Sequence, residues 1–164
     1  MPAKVRAALP QLNPLRRKTP PLEQMGVKAA AWGLTLALDL ADYRAGRLAW
    51  EDVDRGCVVH GPPGTGKTTF ARAVAIKCDV ELIVTSYGDW QKAGDGHLGD
   101  VHKALSAVFE QARNSAPVIL FIDEIDSLPP RGSKSQHTEW YHTITNLLLA
   151  ELDGANPRGR SRRS

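Results

Sequence analysis

The chain has 164 residues, with 21 Lys and Arg against 18 Asp and Glu, a formal net charge of +3 and two cysteines. That length suits one domain with a real core, and its longest stretch without a charge or strong break, 29–38, is too short for a membrane span of about 18 apolar residues. Residues 1–22 hold five cations and residues 155–164 four, with no acid in either stretch, so 23–154 carries twelve cations and all eighteen acids, a net −6. The chain therefore reads as a basic Pro-rich leader (1–22), an acidic body (23–154) and a basic tail (155–164). The leader lacks an apolar h-region, which argues against a secretory signal. Its Arg-rich composition permits an organelle transit peptide, but five prolines favour a disordered leader. Cys57 and Cys78 sit in apolar segments without CxxC spacing and read as two buried thiols in a reducing compartment, which makes the cytosol the expected location.

In chain order, Gly26 to Tyr43 reads as a helix whose apolar residues Val27, Ala30, Ala31, Leu34, Leu38 and Ala41 recur every three or four positions. Cys57 to His60 is a short apolar run ending at glycine, a first strand with His60 facing the sheet. Lys67 to Cys78 turns helical, with Phe70, Ala71, Val74 and Ala75 on one side. Val80 to Val84 is a second strand, and Leu98 to Ala112 an amphipathic helix. A third strand, Val118 to Ile122, has five consecutive apolar residues and is expected to be buried on both faces. Thr138 to Leu152 closes the body as a helix, stopped by Gly154 and Pro157. Strands alternating with helices predict an α/β fold with a parallel sheet.

Gly61-Pro62-Pro63-Gly64-Thr65-Gly66-Lys67-Thr68 matches GxxxxGK[ST] between an apolar strand and a helix, where a phosphate-binding loop belongs. Glycines at 61, 64 and 66 free the backbone to turn successive N–H groups inward, and the following helix adds its positive dipole end. Lys67 is placed to reach the β- and γ-phosphates and the Thr68 hydroxyl to take a position on Mg²⁺, with Thr69 next in the loop. About 55 residues on, the strand ending Ile122-Asp123-Glu124 delivers two acids at its carboxyl end, where open α/β sheets bind ligands. Asp123 suits Mg²⁺, and Glu124 suits orienting the water that attacks phosphorus.

GPPGTGKT, the string FIDEIDSL (121–128) and NLLLAELDG (146–154) together resemble the AAA branch of the AAA+ ATPases, including the ATPase domain of membrane-anchored AAA zinc metalloproteases. Asp54-Arg55-Gly56 is similar to the family's lead-in. The resemblance covers about 22–154. It implies a P-loop NTPase, a three-layer sandwich with a parallel sheet in the order 5-1-4-3-2. Residues 22–33 lie where the family packs against adenine. His97, Leu98 and Gly99 match the loop that lines the pore of a hexameric ring and grips polypeptide, with Trp90 either contributing there or packed against the domain. The fourth and fifth strands, the arginine finger and the helical lid have no counterpart after Gly154, so the chain is expected to be a core truncated after the helix that follows the two acids.

Other features carry less. His137 and His142 lack the HExxH arrangement, so zinc is not expected. Asp126 reads as an N-cap or surface acid, and the basic tails lack the interleaved aromatics of nucleic-acid segments, so nucleic acid is not an expected partner. The expected activity is ATP or ADP binding with Mg²⁺ and ATP hydrolysis, coupled in a longer parent ring to remodelling of a polypeptide. The alternative is a nucleotide-binding but hydrolysis-deficient fragment, or an interaction module.

Overall fold

The computed structural model describes residues 19–95, 97–125 and 138–153, the side chains of Thr138 and Glu139 excepted. Asp126, His137, Gly154 and the expected leader and tail, apart from Thr19 to Leu22, lie outside those residues. The chain divides into two units, 1–83 with 117–121, and 84–116 with 122–164. Two neighbouring parallel strands, β1 (Glu81–Ser86) and β2 (Val118–Asp123), form the sheet. They correspond to the predicted second and third strands.

In the first unit, a 3-10 turn (Leu22–Gln24) leads into helix α1 (Val27–Arg44), and after a second turn (Trp50–Asp52) the chain runs without regular structure to helix α2 (Lys67–Cys78). Helix α1 extends one residue past the predicted end, and the face it buries coincides only in part with the apolar positions that spacing picked out. Ala30, Gly33, Leu36 and Leu40 are buried, whereas Val27 is 86% and Leu38 69% exposed. The helix is apolar on several sides, so spacing alone left the face ambiguous. Packing resolves it at Gly33, where a Cβ would stand 2.8 Å from Leu22 Cδ2 and 3.0 Å from Val74 Cγ2. Only a residue without a side chain lets α1 and α2 approach that closely. Leu22, the last residue assigned to the leader, is itself buried in this core.

Helix α2 holds its predicted bounds and buries Phe70, Ala71, Val74 and Ala75 as expected. It ends at Asp79 in the left-handed region, with the Arg44 guanidinium donating to the Cys78 and Asp79 carbonyls at 3.0 and 3.2 Å. These bonds satisfy carbonyls a helix terminus leaves without partners. Burial pushes the Cys78 thiol up to about 11, against a smaller opposing pull from Arg44, so it stays protonated at neutral pH. Cys57, by contrast, is exposed, so only one of the two thiols is buried.

The predicted first strand is not formed. Residues 54–60 have no regular structure, and Val58 is 93% exposed. A strand needs a neighbour to take its N–H and C=O groups, and among the described residues no strand pairs with this segment. For the same reason β2 is half-buried along its whole length, not covered on both faces as its apolar run suggests.

The second unit contains a short helix α3 (Tyr87–Gln91), helix α4 (Leu98–Asn114) and helix α5 (Thr138–Leu152). The sequence reading missed α3, which Ser86 caps by accepting a hydrogen bond from the Asp89 N–H at 3.2 Å. Trp90 is 1% exposed, and its indole donates to Thr85 Oγ1 at 2.7 Å. Of its two readings, packing against the domain is the one realised.

Helices α4 and α5 pack together, burying Val101, Leu105 and Phe109 of the first and Ile144 and Leu148 of the second. One buried acid lies between them. Glu151 accepts from Arg113 Nη1 at 2.8 Å and from Ser106 Oγ at 3.2 Å, with its side chain 4% exposed against 37% for Arg113. Removing the cation strands a buried carboxylate, a loss of 3–5 kcal/mol for a fully buried pair. Because Arg113 is partly solvated, Arg113→Leu is expected to cost about 2 kcal/mol by urea unfolding; a loss under about 0.5 kcal/mol would show that the pair does not hold the helices. No described helix is long and apolar enough to cross a membrane.

Candidate nucleotide site

The glycine-rich segment folds as its composition requires, though its three glycines act differently. Gly64 and Gly66 have φ of +79° and +88°, a region closed to most side chains. Gly61 has no such dihedral. A Cβ there would lie 2.8 Å from Thr65 Oγ1, so it serves close approach, not backbone freedom. Pro62 carbonyl closes the turn by accepting from the Thr65 hydroxyl at 2.7 Å and the Thr65 N–H at 3.4 Å.

Gly66 then caps α2, whose first intrahelical bond runs from Phe70 N–H to Gly66 carbonyl at 2.8 Å. The N–H groups of the first turn have no helical acceptors, and that turn carries no acid to compete for them. Lys67 arches back over the loop, its ammonium donating to the Gly61 carbonyl at 2.8 Å and the Pro62 carbonyl at 3.2 Å. Thr68 and Thr69 are half-buried on the same turn.

This loop lines a cleft of about 580 Å³. Gly61, Pro62, Gly64, Thr65, Gly66, Lys67 and Thr69 line it; Pro63 and Thr68 do not. Met25, Gly26, Ala29, Val59 and Phe70 supply an apolar wall. The helix start that the family resemblance placed against adenine therefore shares one cleft with the loop. His60 also lines it and is exposed, which corrects its expected place on a strand facing a sheet. Sequence reasoning did not find Phe70, which it assigned to helix packing. The available signal was its position one turn after Lys67.

In the second unit, Asp123 closes β2 and is half-buried, while Glu124 is exposed. Glu124 has φ of +54°, unusual for a residue with a side chain, and its N–H donates to Asp123 Oδ1 at 2.9 Å. Such a conformation costs of order 1–3 kcal/mol and gathers at functional sites. The hydrogen bond offsets part of that cost and turns the chain sharply just after the strand. His97 caps α4 and is exposed, Leu98 is half-buried and Gly99 is exposed with open space where a Cβ would stand. No group of three or more metal-binding side chains occurs among the described residues, and His137 lies outside them.

Residues 57–162 match the family described as "ATPase family associated with various cellular activities (AAA)". The chain belongs to the AAA ATPase family. Its α/β architecture and phosphate loop are accordingly those of a P-loop NTPase. This AAA chain is 40% identical over 110 residues to the ATPase histone chaperone abo1 of Schizosaccharomyces pombe, covering 65% of the chain and 9% of that protein. It is 40% identical over 104 residues to the ATP-dependent zinc metalloprotease FtsH 3 of Sphaerobacter thermophilus, covering 63% of the chain and 21% of that protein. To the human ATPase family gene 2 protein homolog B it is 39% identical over 124 residues, covering 71% of the chain and 16% of that protein. The AAA chain thus matches at most about a fifth of the length of these relatives.

Proposed function

We propose that the chain binds ATP and ADP in the cleft between the glycine-rich loop and the start of α1, and hydrolyses ATP with Mg²⁺. The observation that carries this reading is the cleft itself. Its lining includes the left-handed glycines Gly64 and Gly66, an acid-free helix start and Lys67, the means of holding phosphates. The same lining has Met25, Ala29 and Phe70, apolar groups suited to a base.

In this reading the loop from Gly61 to Thr69 surrounds the phosphates, and Lys67 exchanges its carbonyl contacts for the β- and γ-phosphate oxygens. The Thr68 hydroxyl in the first unit, and the Asp123 carboxylate in the second, are each hard oxygen donors of the kind Mg²⁺ prefers, and each is a proposed ligand. The ion, when bound, neutralises charge building on the transferred phosphoryl group. Glu124 orients and polarises the attacking water. Its turned backbone separates its role from that of Asp123 although the two are adjacent.

Coupling to work on a polypeptide, in a ring of subunits with His97, Leu98 and Gly99 towards the pore, extends the same proposal to the longer protein. The family membership supports it. The decisive test is thermal stability with Mg-ADP. At one hundred times its dissociation constant, a ligand that binds only the folded state stabilises by about 2.7 kcal/mol, a midpoint rise of about 8 °C for a chain of this size. A midpoint unchanged at millimolar Mg-ADP would remove the proposal. A shift without phosphate release from Mg-ATP would reduce it to a nucleotide-binding module.

A further inference from the structure

Trp32 does not line the cleft, yet it joins three parts of the cleft's surroundings. It stands three residues after Ala29 on α1, on the turn following the one that lines the cleft. Its indole N–H donates to Asp54 Oδ2 at 2.9 Å across 22 residues of chain. Its ring lies 6.4 Å from that of Phe70, tilted by 47°, and Phe70 is part of the apolar wall. Residues 54–60, which run from this hydrogen bond to the loop, have no ladder or helix to hold them. Their position therefore depends on side-chain anchors such as this one.

We propose that Trp32 and Asp54 form a clasp that sets the base end of the nucleotide cleft, making Trp32 a positioning residue for the base and not for the phosphates. The proposal rests on the nucleotide reading of the cleft. The clasp holds α1 against the incoming chain, and the Trp32 ring backs Phe70, so the apolar lining supplied by α1 and Phe70 keeps its place. The phosphate end is organised independently, by the Gly64 and Gly66 dihedrals, the Pro62 turn and the start of α2. Loss of the clasp should therefore weaken ligands that carry a base and spare those that consist of phosphates alone.

Calorimetric titration of the full chain with Mg-ADP and with Mg-tripolyphosphate separates these effects. Trp32→Phe keeps a ring but loses the donor; Asp54→Ala loses the acceptor; Asp54→Asn keeps an oxygen acceptor. The first two are expected to weaken Mg-ADP about threefold to tenfold, the worth of one hydrogen bond, with the double variant no worse than the weaker-binding single. Asp54→Asn should stay within about twofold of the unmodified chain, and Mg-tripolyphosphate within about twofold across the series. Equal weakening of both ligands, or no weakening of Mg-ADP, overturns the clasp while leaving the nucleotide site standing. An unmodified chain that fails to bind Mg-ADP overturns both. Asp54 is exposed, so its variants keep the test usable if Trp32→Phe folds poorly.

Discussion

Glu124→Gln is expected to lower ATP turnover by about 100-fold or more while leaving Mg-ATP affinity within a few-fold. The substitution keeps the shape of the side chain and removes its charge and basicity, so what is lost is the handling of the attacking water. Positioned acid–base groups contribute about 10²–10⁴ in rate. The local backbone explains why affinity should survive. Glu124 is exposed and turned by its φ of +54°, and the hydrogen bond that holds this turn uses its own N–H and Asp123 Oδ1, neither of which the substitution touches. Single-turnover phosphate release beside equilibrium binding of Mg-ATP would check this, and a parallel fall in both would assign Glu124 to binding instead.

Lys67→Ala is expected to act at the binding step. Its ammonium rests on the Gly61 and Pro62 carbonyls and lines the cleft, where in the proposed site a cation meets several phosphate charges at once. Losing it should weaken Mg-ADP about 100-fold, of the order of 2.7 kcal/mol. At a ligand concentration one hundred times the original dissociation constant, stabilisation then falls from about 2.7 to about 0.4 kcal/mol, and the midpoint shift nearly vanishes. The midpoint without ligand should change little, since α2 starts from the Gly66 carbonyl and the turn closes through Thr65, both independent of the Lys67 side chain. A full shift retained in Lys67→Ala would mean that the nucleotide does not sit against this loop.

The phosphate loop was legible in the sequence because its chemistry is local. GxxxxGK[ST] names residues within eight positions, and the dihedrals and helix start it needs are set by neighbours along the chain. The predicted bounds of α2 and α5 held for a similar reason, since each is delimited by glycine, proline or a clear change in pattern. The strand at Cys57 to His60 failed because a strand is a property of two segments, and an apolar run states only half of it. The buried face of α1 was only partly legible because several faces were apolar, and the choice was made by Leu22 and Val74 closing on Gly33.

By itself the sequence determined the family, the nucleotide loop, the acids at the end of a strand and most of the helices, all of which depend on order and short-range spacing. Only the tertiary structure decided that Met25, Ala29 and Phe70 share a cleft with the loop, that Trp90 is buried, and that Trp32 reaches Asp54. Those facts depend on which surfaces meet when α1 packs on α2 and on which polar groups find partners after burial. Spacing along a chain does not specify such meetings, because segments far apart in sequence become neighbours only through packing.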